Sequence, residues 1–317
     1  MLNLILLIVG FFPLLYGANL LVDNASSLAK KLNIPDLVIA LTIVSFGTSA
    51  PELVVNLTAS VADTPQIVLN NILGSNIANI LLILGVSSFI YPIIVKDSTK
   101  WKEIPLTFLS IAVVFIAAND VFFDKTPSSI LSRTDGMLLL AFFMIFLAYN
   151  FQLIKENTQT EEIHVKVKPV YLSIILLITG IILLTFGGKF IVSNAVSFAA
   201  KLGISERIIA LTIISIGTSL PELATSAVAA IKKNSDIAIG NVVGSNIFNV
   251  FFILGLSAVV NPIPIPFASN YDIIINISAS ILLFLFVFIG KKHHIERWQG
   301  TIFVLFYCIY ISTAIIF

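Results

Sequence analysis

Charge is what this sequence has least of: only 11% of its 317 residues are Asp, Glu, Lys or Arg, whereas 58% are hydrophobic. A soluble domain carries about 25% charged residues, so this composition excludes a soluble globular protein. The net charge of +1 provides no basic surface for nucleic acid. The single cysteine, Cys308, excludes a disulfide framework and a thiolate metal site. The amino terminus lacks a basic segment and a small-residue cleavage site, so we expect it to remain as a membrane span.

Long apolar stretches take the place of charge, and each is about long enough to cross a bilayer as a helix. The ten predicted spans cover residues 2–23, 37–61, 66–91, 104–119, 136–154, 170–193, 207–231, 236–260, 272–290 and 298–317. Connections between them are short. The sequence therefore predicts an all-α polytopic membrane protein with ten transmembrane helices, whose principal surroundings are the lipid bilayer.

The chain repeats itself. When it is shifted by 170 residues, 10–92 aligns on 180–262 without a gap, with about 36 identities in roughly 83 positions. Polar residues match in register, such as Gly47-Thr48-Ser49 with Gly217-Thr218-Ser219. Chance similarity between apolar segments would not align polar residues, so the pattern indicates internal duplication.

Five predicted spans separate equivalent points of the two copies. Because an odd number of crossings reverses direction, the copies are predicted to be inverted relative to each other, as in many secondary transporters. We divide the chain into a first five-helix repeat at 1–154, a cytoplasmic linker at 155–169 and a second five-helix repeat at 170–317.

Lys and Arg are unevenly placed on the two sides of the predicted bundle. Connections after the odd-numbered spans hold 13 of the 18, the opposite connections hold four, and Lys189 lies within the sixth span. The positive-inside rule then predicts a cytoplasmic linker and two outside termini, in a multi-pass protein of the cell membrane. Asp23 is predicted to cap the cytoplasmic end of the first span.

Two glutamates, Glu52 and Glu222, are the only acidic residues near the middle of a predicted span. A charge at that depth costs a few kcal/mol, so such residues are functional candidates. A protonated glutamate holding two helices together is the simpler alternative. Since the pair is duplicated in the same polar surroundings, we favour a functional site.

Polar residues around the two glutamates recur at steps of three and four, so they share one helix face. The predicted stripes on the second and seventh spans consist of Ser45, Thr48, Ser49, Glu52 and Asn56, and of Ser215, Thr218, Ser219, Glu222 and Ser226. Those on the third and eighth spans consist of Asn71, Ser75 and Asn79, and of Asn241, Ser245 and Asn249. For the neighbouring Asn76 and Asn246, helix packing and a site role are equally compatible with the pattern.

Prolines next to the glutamates predict a second source of oxygen ligands. Pro51 has no N–H and its ring clashes with the carbonyl of Gly47, so Thr48 and its neighbours should leave regular helix. Pro221 and Gly217 repeat this arrangement. Carboxylates, carbonyls, hydroxyls and amide oxygens suit a hard cation, and Ca2+ takes 6–8 of them. The predicted site contains no His or Cys for a softer metal.

The segments at 47–52 and 217–222, with Gly-Ser-Asn at 74–76 and 244–246, resemble the paired signature of the cation/Ca2+ exchanger superfamily, most closely its prokaryotic Na+/Ca2+ exchangers. The resemblance implies a secondary antiporter and not an enzyme, with no cofactor, that exchanges Na+ for Ca2+ by alternating access. Its first and sixth spans would slide across the remaining bundle. We expect it to function as a monomer.

The resemblance also implies the ligands. Ca2+ would lie between Glu52 and Glu222, and the backbone carbonyls of Thr48 and Thr218 would complete its site. The surrounding Na+ sites would use Ser45, Ser49, Ser75, Ser215, Ser219 and Ser245, with Ser45 and Ser215 contributing through their carbonyls. Asn79 and Asn249 would form the central polar position.

One departure from the family leaves alternatives open. Many Na+/Ca2+ exchangers, including K+-dependent ones, carry Asp at the position of Asn249, so Na+ stoichiometry and K+ dependence are undetermined. H+/Ca2+ exchangers place a glutamate shortly after Gly-Asn, where this chain reads Gly240-Asn241-Val242-Val243, which argues against proton coupling. A channel, an intramembrane enzyme and a purely structural protein fit less well, because the chain has duplicated acids in a closed site and no nucleophile or metal motif.

Overall fold

A computed structural model describes residues 2–62, 64, 66–156, 167–202, 215–291 and 293–316, and most of these are helical. The first six helices are α1 (Leu2–Leu32), α2 (Asp36–Thr48), α3 (Ala50–Val61), α4 (66–90), α5 (99–117) and α6 (Arg133–Glu156). The second six are α7 (Val170–Lys201), α8 (Ser215–Thr218), α9 (Leu220–Ile231), α10 (Ser235–Val260), α11 (Ser269–Phe286) and α12 (Arg297–Ile316). A single helical turn, Asp120–Phe123, precedes α6. Most of the predicted linker, and the start of the predicted seventh span, lie outside the described residues.

Length and apolar composition identify membrane-spanning helices in the described ranges. Six helices meet both criteria, and the count becomes seven if α2 and α3, which meet at 50°, form one broken span. The apolar windows of α4 and α10 are 78% and 83% buried, against 33% and 28% for α1 and α7. Hence α4 and α10 lie at the centre of the bundle, and α1 and α7 lie at its edge.

Four predicted span boundaries are wrong, and one of them is the start of the fourth span, which begins at Thr99 and not at 104. The first helix continues nine residues past 23 to Leu32, and the sixth continues past 193 to Lys201. The ninth ends at Phe286, before the left-handed Gly290. Hydropathy located the membrane-facing part of α1 and α7, but polar residues continue both helices. In α1 they bind partners on other segments, whereas in α7 Asn194 and Ser197 donate to carbonyls of α7 itself. Asp23 is accordingly not an end cap, because it lies inside α1.

Both polar segments that contain the glutamates are broken, as the proline pattern predicts. The break falls at Ser49 (φ −83°, ψ 6°) and at Ser219 (φ −89°, ψ 8°). Pro51 and Pro221 then lie in the first turn of α3 and α9, where a missing N–H costs little. Each glutamate follows its proline directly and therefore lies at a helix amino terminus inside the bundle.

The two central helices widen at corresponding positions. The segments Ala78–Leu84 in α4 and Phe248–Leu254 in α10 form π-helical turns, 170 residues apart. π-Helical turns are rare in proteins, and those that occur are often found at functional sites. They contain Asn79 and Asn249, so the predicted central polar position lies in unusual backbone in both halves.

Two short antiparallel sheets join the ends of helices and add strands to the predicted all-helical fold. The strands are β1 (Ile93–Ile94), β2 (Ser129–Leu131), β3 (Ile263–Ile265) and β4 (His294–Ile295). Strand β1 pairs with β4, and β2 with β3. Each sheet connects a segment of the first half to one of the second, so the halves are tied together at their ends.

Glycines let α1 and α7 cross with their backbones in contact. A Cβ added to Gly17 would lie 2.8 Å from the carbonyl oxygen of Gly180, and one added to Gly187 would lie 2.7 Å from the amide nitrogen of Leu14. Real Cβ atoms do not approach backbone this closely. The two edge helices therefore form one tightly packed pair.

Two adjacent glycines of α7 provide a test of this contact. We expect Gly187→Ala to destabilise the protein by about 1–3 kcal/mol through overpacking. Gly188→Ala is the matched control, because its Cβ would meet Pro221 at an ordinary 3.7 Å. Thermal unfolding of the detergent-purified variants measures both. Equal unfolding midpoints for the two variants would contradict the packing described here.

Candidate cation site

The two glutamates occupy equivalent positions in the two halves. Glu52 lies in the first turn of α3 and Glu222 in the first turn of α9, and each is only 1% exposed. A helix amino terminus carries a partial positive charge that stabilises a carboxylate near it. This placement offsets part of the cost of burying an acid.

Contacts between the halves bring the glutamates into one site. The Ser49 hydroxyl, next to α3, donates to Oε1 of Glu222 at 3.0 Å. Thr48 interacts with Glu222, and Thr218 with Glu52. The two carboxylates also repel each other electrostatically. Within the described residues, neither carboxylate oxygen of Glu52 has a hydrogen-bond partner.

A second layer of amides positions the backbone beside each glutamate. Asn56 donates to the carbonyl of Glu52 at 2.8 Å, and Asn71 donates to Asn56 at 3.3 Å. In the other half, Asn241 donates to the carbonyl of Glu222 at 3.3 Å. These contacts link α3 to α4 in the first half and α9 to α10 in the second half.

Asn241 has a further role that its sequence position does not reveal. Its amide donates to Ser226 at 2.9 Å, and its oxygen accepts a hydrogen bond from Thr48 at 3.0 Å. It therefore connects α9 and α10 to the broken helix of the opposite half. The polar stripe on the eighth span indicated that Asn241 faces inward, but not that it binds Thr48.

Four asparagines form a reciprocal cluster at the centre of the bundle. Asn76 donates to the carbonyl of Asn246, and Asn246 to the carbonyl of Asn76, both at 3.3 Å. Asn79 donates to Oδ1 of Asn246 at 2.8 Å, and Asn249 to Oδ1 of Asn76 at 3.0 Å. All four amide groups are thereby fixed. Asn246 therefore orients Asn79, and Asn76 orients Asn249. The sequence had left the roles of Asn76 and Asn246 open between helix packing and the site.

Half of the 16 buried side-chain oxygens that lack hydrogen-bond partners in the described residues belong to predicted ligands. Buried groups in proteins are normally satisfied, so such atoms need an explanation. Within the described residues, the unpartnered buried oxygens of predicted site residues are both oxygens of Glu52, Oε2 of Glu222, the hydroxyls of Ser75, Ser219 and Ser245, and Oδ1 of Asn79 and Asn249. All eight are oxygen atoms, the type of ligand that a hard cation such as Ca2+ takes.

Two predicted serine ligands differ from the others. The Ser45 hydroxyl donates to the carbonyl of Ala40 at 3.0 Å, and the Ser45 carbonyl accepts from the Ser49 amide at 2.9 Å. The same carbonyl also accepts from the Thr48 hydroxyl at 3.3 Å, so a cation at Ser45 would have to replace one of these two contacts. Ser215 begins α8, but its side chain lies outside the described part of the structure.

One side of the site is reached by a cavity of about 310 Å³. The second half of α7 lines it with Thr185, Gly188, Lys189 and Val192, facing Pro51 and Thr218. Thr218 is only half-buried, whereas its counterpart Thr48 is buried. Of the two threonines, Thr218 is thus the more exposed, and the cavity lies beside it.

Polar contacts join α1 to the rest of the bundle at the end near the linker. Asp23 of α1 forms an ion pair with Lys232 at 2.6 Å, and Asn234 donates to Ser26 at 3.0 Å. Both partners lie in the connection between α9 and α10. These contacts hold α1 against the bundle at the end near the linker.

Comparison with known proteins places the chain among cation exchangers. The family model described as sodium/calcium exchanger protein matches residues 2–152 and 172–316. The sodium/calcium exchanger MaX1 of Methanosarcina acetivorans is 30% identical, over 96% of both chains. The inner membrane protein YrbG of Escherichia coli strain K12 is 36% identical, over 86% of this chain and 85% of its own.

Solved structures agree with the sequence comparison. The sodium-calcium exchanger NCX_Mj, soaked with 10 mM Na+ and zero Ca2+, superposes with a TM-score of 0.83 at 32% identity, covering 98% of each chain. A multi-pass membrane chain with paired buried glutamates, matched over nearly its whole length, therefore belongs to the sodium/calcium exchanger family.

Proposed function

We propose that this protein exchanges Na+ for Ca2+ by alternating access, with ten membrane spans arranged as two inverted repeats, 1–154 and 170–317, joined by a cytoplasmic linker at 155–169. The observation that carries the proposal is the contact of Ser49 with Glu222 across the halves, beside eight buried oxygens without partners. The relative MaX1 is named a sodium/calcium exchanger. The positive-inside rule supports outside termini in the cell membrane.

The net charge of the site, with and without bound ions, explains why transport would be an exchange. An ionised pair of Glu52 and Glu222 carries −2, which one Ca2+ neutralises and two or three Na+ bring to 0 or +1. A loaded site is inexpensive to enclose in a low-dielectric bundle, whereas an empty dianionic site resists enclosure. Crossing is therefore restricted to the loaded protein, and transport of one ion requires return of the other.

The structure supports a carrier open on one side. The cavity reaches Thr218 from the side that we assign to the outside, while Asp23 and Lys232 close the linker side. Movement of the pair α1 and α7 across the bundle would break the latter contact and open the opposite route. Packing of the two edge helices through glycines is consistent with their moving together.

Flux measurements in proteoliposomes test the exchange itself. We expect an outward Na+ gradient to drive 45Ca2+ uptake, and K+ or proton gradients alone to be ineffective. With three Na+ per Ca2+, one charge moves per cycle, worth about 2.3 kcal/mol per 100 mV. Uptake rates that ignore membrane potential would indicate two Na+. Uptake driven by a pH gradient without Na+ would overturn the proposal in favour of H+/Ca2+ exchange.

Neutralising either glutamate tests the shared site. Glu52→Gln and Glu222→Gln should each reduce 45Ca2+ uptake to the level of empty liposomes, because one carboxylate neutralises only half of the charge of Ca2+. Glu103→Gln is the matched control: Glu103 is also fully buried, but it accepts a hydrogen bond from Tyr149 away from the site. Retained uptake in either site variant, with normal folding, would refute a two-carboxylate site.

A third acid at the centre tests the role of the asparagines. Asn249 donates to Asn76, which an ionised Asp cannot do. We therefore expect Asn249→Asp to make transport pH-dependent between the protonated and ionised forms, with altered Na+ dependence. Asn150→Asp, at a buried asparagine on α6, serves as the control. If Asn249→Asp leaves the pH profile and Na+ dependence unchanged, the central position does not contact the transported ions.

A further inference from the structure

The edge helices α1 and α7 occupy equivalent positions in the two halves, but they pack differently against the rest of the bundle. Helix α1 packs along α9, whereas the equivalent pair, α7 and α3, is barely in contact within the described residues. The cavity of about 310 Å³ lies between the helices of that second pair, with Val55 of α3 and Val192 of α7 among its lining residues. The structure therefore contains a closed interface, between α1 and α9, and an open one, between α7 and α3.

Two polar contacts fasten α1 at the closed interface. Asp23 forms its ion pair with Lys232 at 2.6 Å, and the Asn234 amide donates to the Ser26 hydroxyl at 3.0 Å. The same amide group donates to Asp36 at the start of α2 at 2.9 Å, so it is also held by the bundle. The ion pair is partly exposed, whereas Ser26 and Asn234 are each only 2% exposed. We call the contacts Asp23–Lys232 and Ser26–Asn234 the latch.

The open interface lacks the side-chain groups that a second latch would need. At the positions equivalent to Asp23, Ser26, Lys232 and Asn234, a shift of 170 residues gives Ser193, Val196, Ala62 and Thr64. Ala62 and Val196 have no polar side-chain atom, so neither contact can form there. The Thr64 hydroxyl donates instead to the carbonyl of Ala59, in its own half. The latch is thus specific to one interface, although the surrounding sequence is duplicated.

Inverted symmetry turns this difference in sequence into a difference in energy between conformations. If the two halves were identical, the state open on one side and the state open on the other would be the same structure viewed from opposite faces. The two states would then have the same energy. Any preference between them must therefore come from positions at which the halves differ. The latch forms only when α1 is closed on α9, so it stabilises that state alone.

We propose that the latch biases the protein toward the state that is closed at the linker end and open between α7 and α3. The inference rests on the alternating access of the proposed function. One buried hydrogen bond changes an equilibrium about fivefold, and a partly exposed ion pair adds a factor of about two. The latch therefore shifts the ratio of the two states about tenfold. It weakens the binding of ions from the linker face, because apparent affinity scales with the fraction of protein open there, whereas the ion gradients set the direction of net exchange.

Distances across the two interfaces test the latch. In a Cys308→Ser background, spin labels on Lys31→Cys and Ile231→Cys report the separation of α1 from α9. Labels on the equivalent pair, Lys201→Cys and Val61→Cys, report the separation of α7 from α3. All four native side chains are exposed at helix ends, so labels there leave the interfaces intact. Pulsed electron paramagnetic resonance of the protein in lipid nanodiscs gives the populations of short and long distances for each pair.

Replacing latch residues by their counterparts from the other half should make the two interfaces more equal. We expect the triple variant Asp23→Ser, Ser26→Val and Lys232→Ala to raise the ratio of long to short distances across α1 and α9 about tenfold. Across α7 and α3 the same ratio should fall by a similar factor, because closing one interface opens the other.

Two further variants separate the latch from a general loss of packing. The exchanged pair Asp23→Lys with Lys232→Asp should restore the distances that Asp23→Lys alone disturbs, because it rebuilds the ion pair. Ser193→Asp with Ala62→Lys places an ion pair at the open interface, and should shift both distances in the same direction as removal of the latch. Thermal unfolding of each variant verifies that its fold is intact.

The outcomes distinguish this inference from the proposed function. Unchanged distance ratios in the triple variant would overturn the latch, and so would longer distances at both interfaces together, which would show loosened packing and not a changed balance of states. Na+-driven 45Ca2+ uptake by the wild type is measured in the same lipids. If uptake is present and the distances do not respond, the latch alone fails. If the distances respond and uptake is absent, the proposed ion exchange fails while the latch stands.

Discussion

Burial of two carboxylates in a membrane bundle is the constraint around which the rest of the structure is arranged. An uncompensated charge at this depth is unstable, and two like charges in contact are more so. Three features of the fold reduce that cost. Each glutamate lies at a helix amino terminus, its backbone is held by an asparagine, and hydroxyl groups of the opposite half face it. None of these supplies the positive charge that a cation would bring.

The broken helices follow from this constraint. A continuous helix would place Glu52 in mid-helix, where no backbone N–H is free to stabilise it. Proline at the first turn ends the preceding segment and creates a new amino terminus inside the bundle. The π-helical turns on α4 and α10 act similarly for the asparagines, because they widen the helix where Asn79 and Asn249 face the centre. Irregular backbone at membrane depth is tolerated here because it is buried in protein.

Duplication gives the two halves the same parts, and a few substitutions make the halves unequal. Asp23 is an ion-pair partner of Lys232, whereas the hydroxyl of its counterpart Ser193 donates to the carbonyl of Phe190 in its own helix. The glutamates differ as well: Ser49 donates to Glu222, but the Ser219 hydroxyl has no hydrogen-bond partner within the described ranges. Such differences make the polar contacts of the two halves unequal.

The sequence by itself determined the helical membrane class, the duplicated acids and the breaks beside them, because hydropathy and proline act locally. It located the helices but misplaced the ends of α1 and α7, since hydropathy stops at polar residues. In α1 these residues bind partners that are distant in sequence, and in α7 they donate to carbonyls of the same helix. Only the tertiary structure decided that Ser49 contacts Glu222, that Asn76 orients Asn249, and that Lys189 lines a cavity. Each of these depends on how helices from the two halves pack together, and no local pattern in the sequence encodes a contact between residues about 170 positions apart.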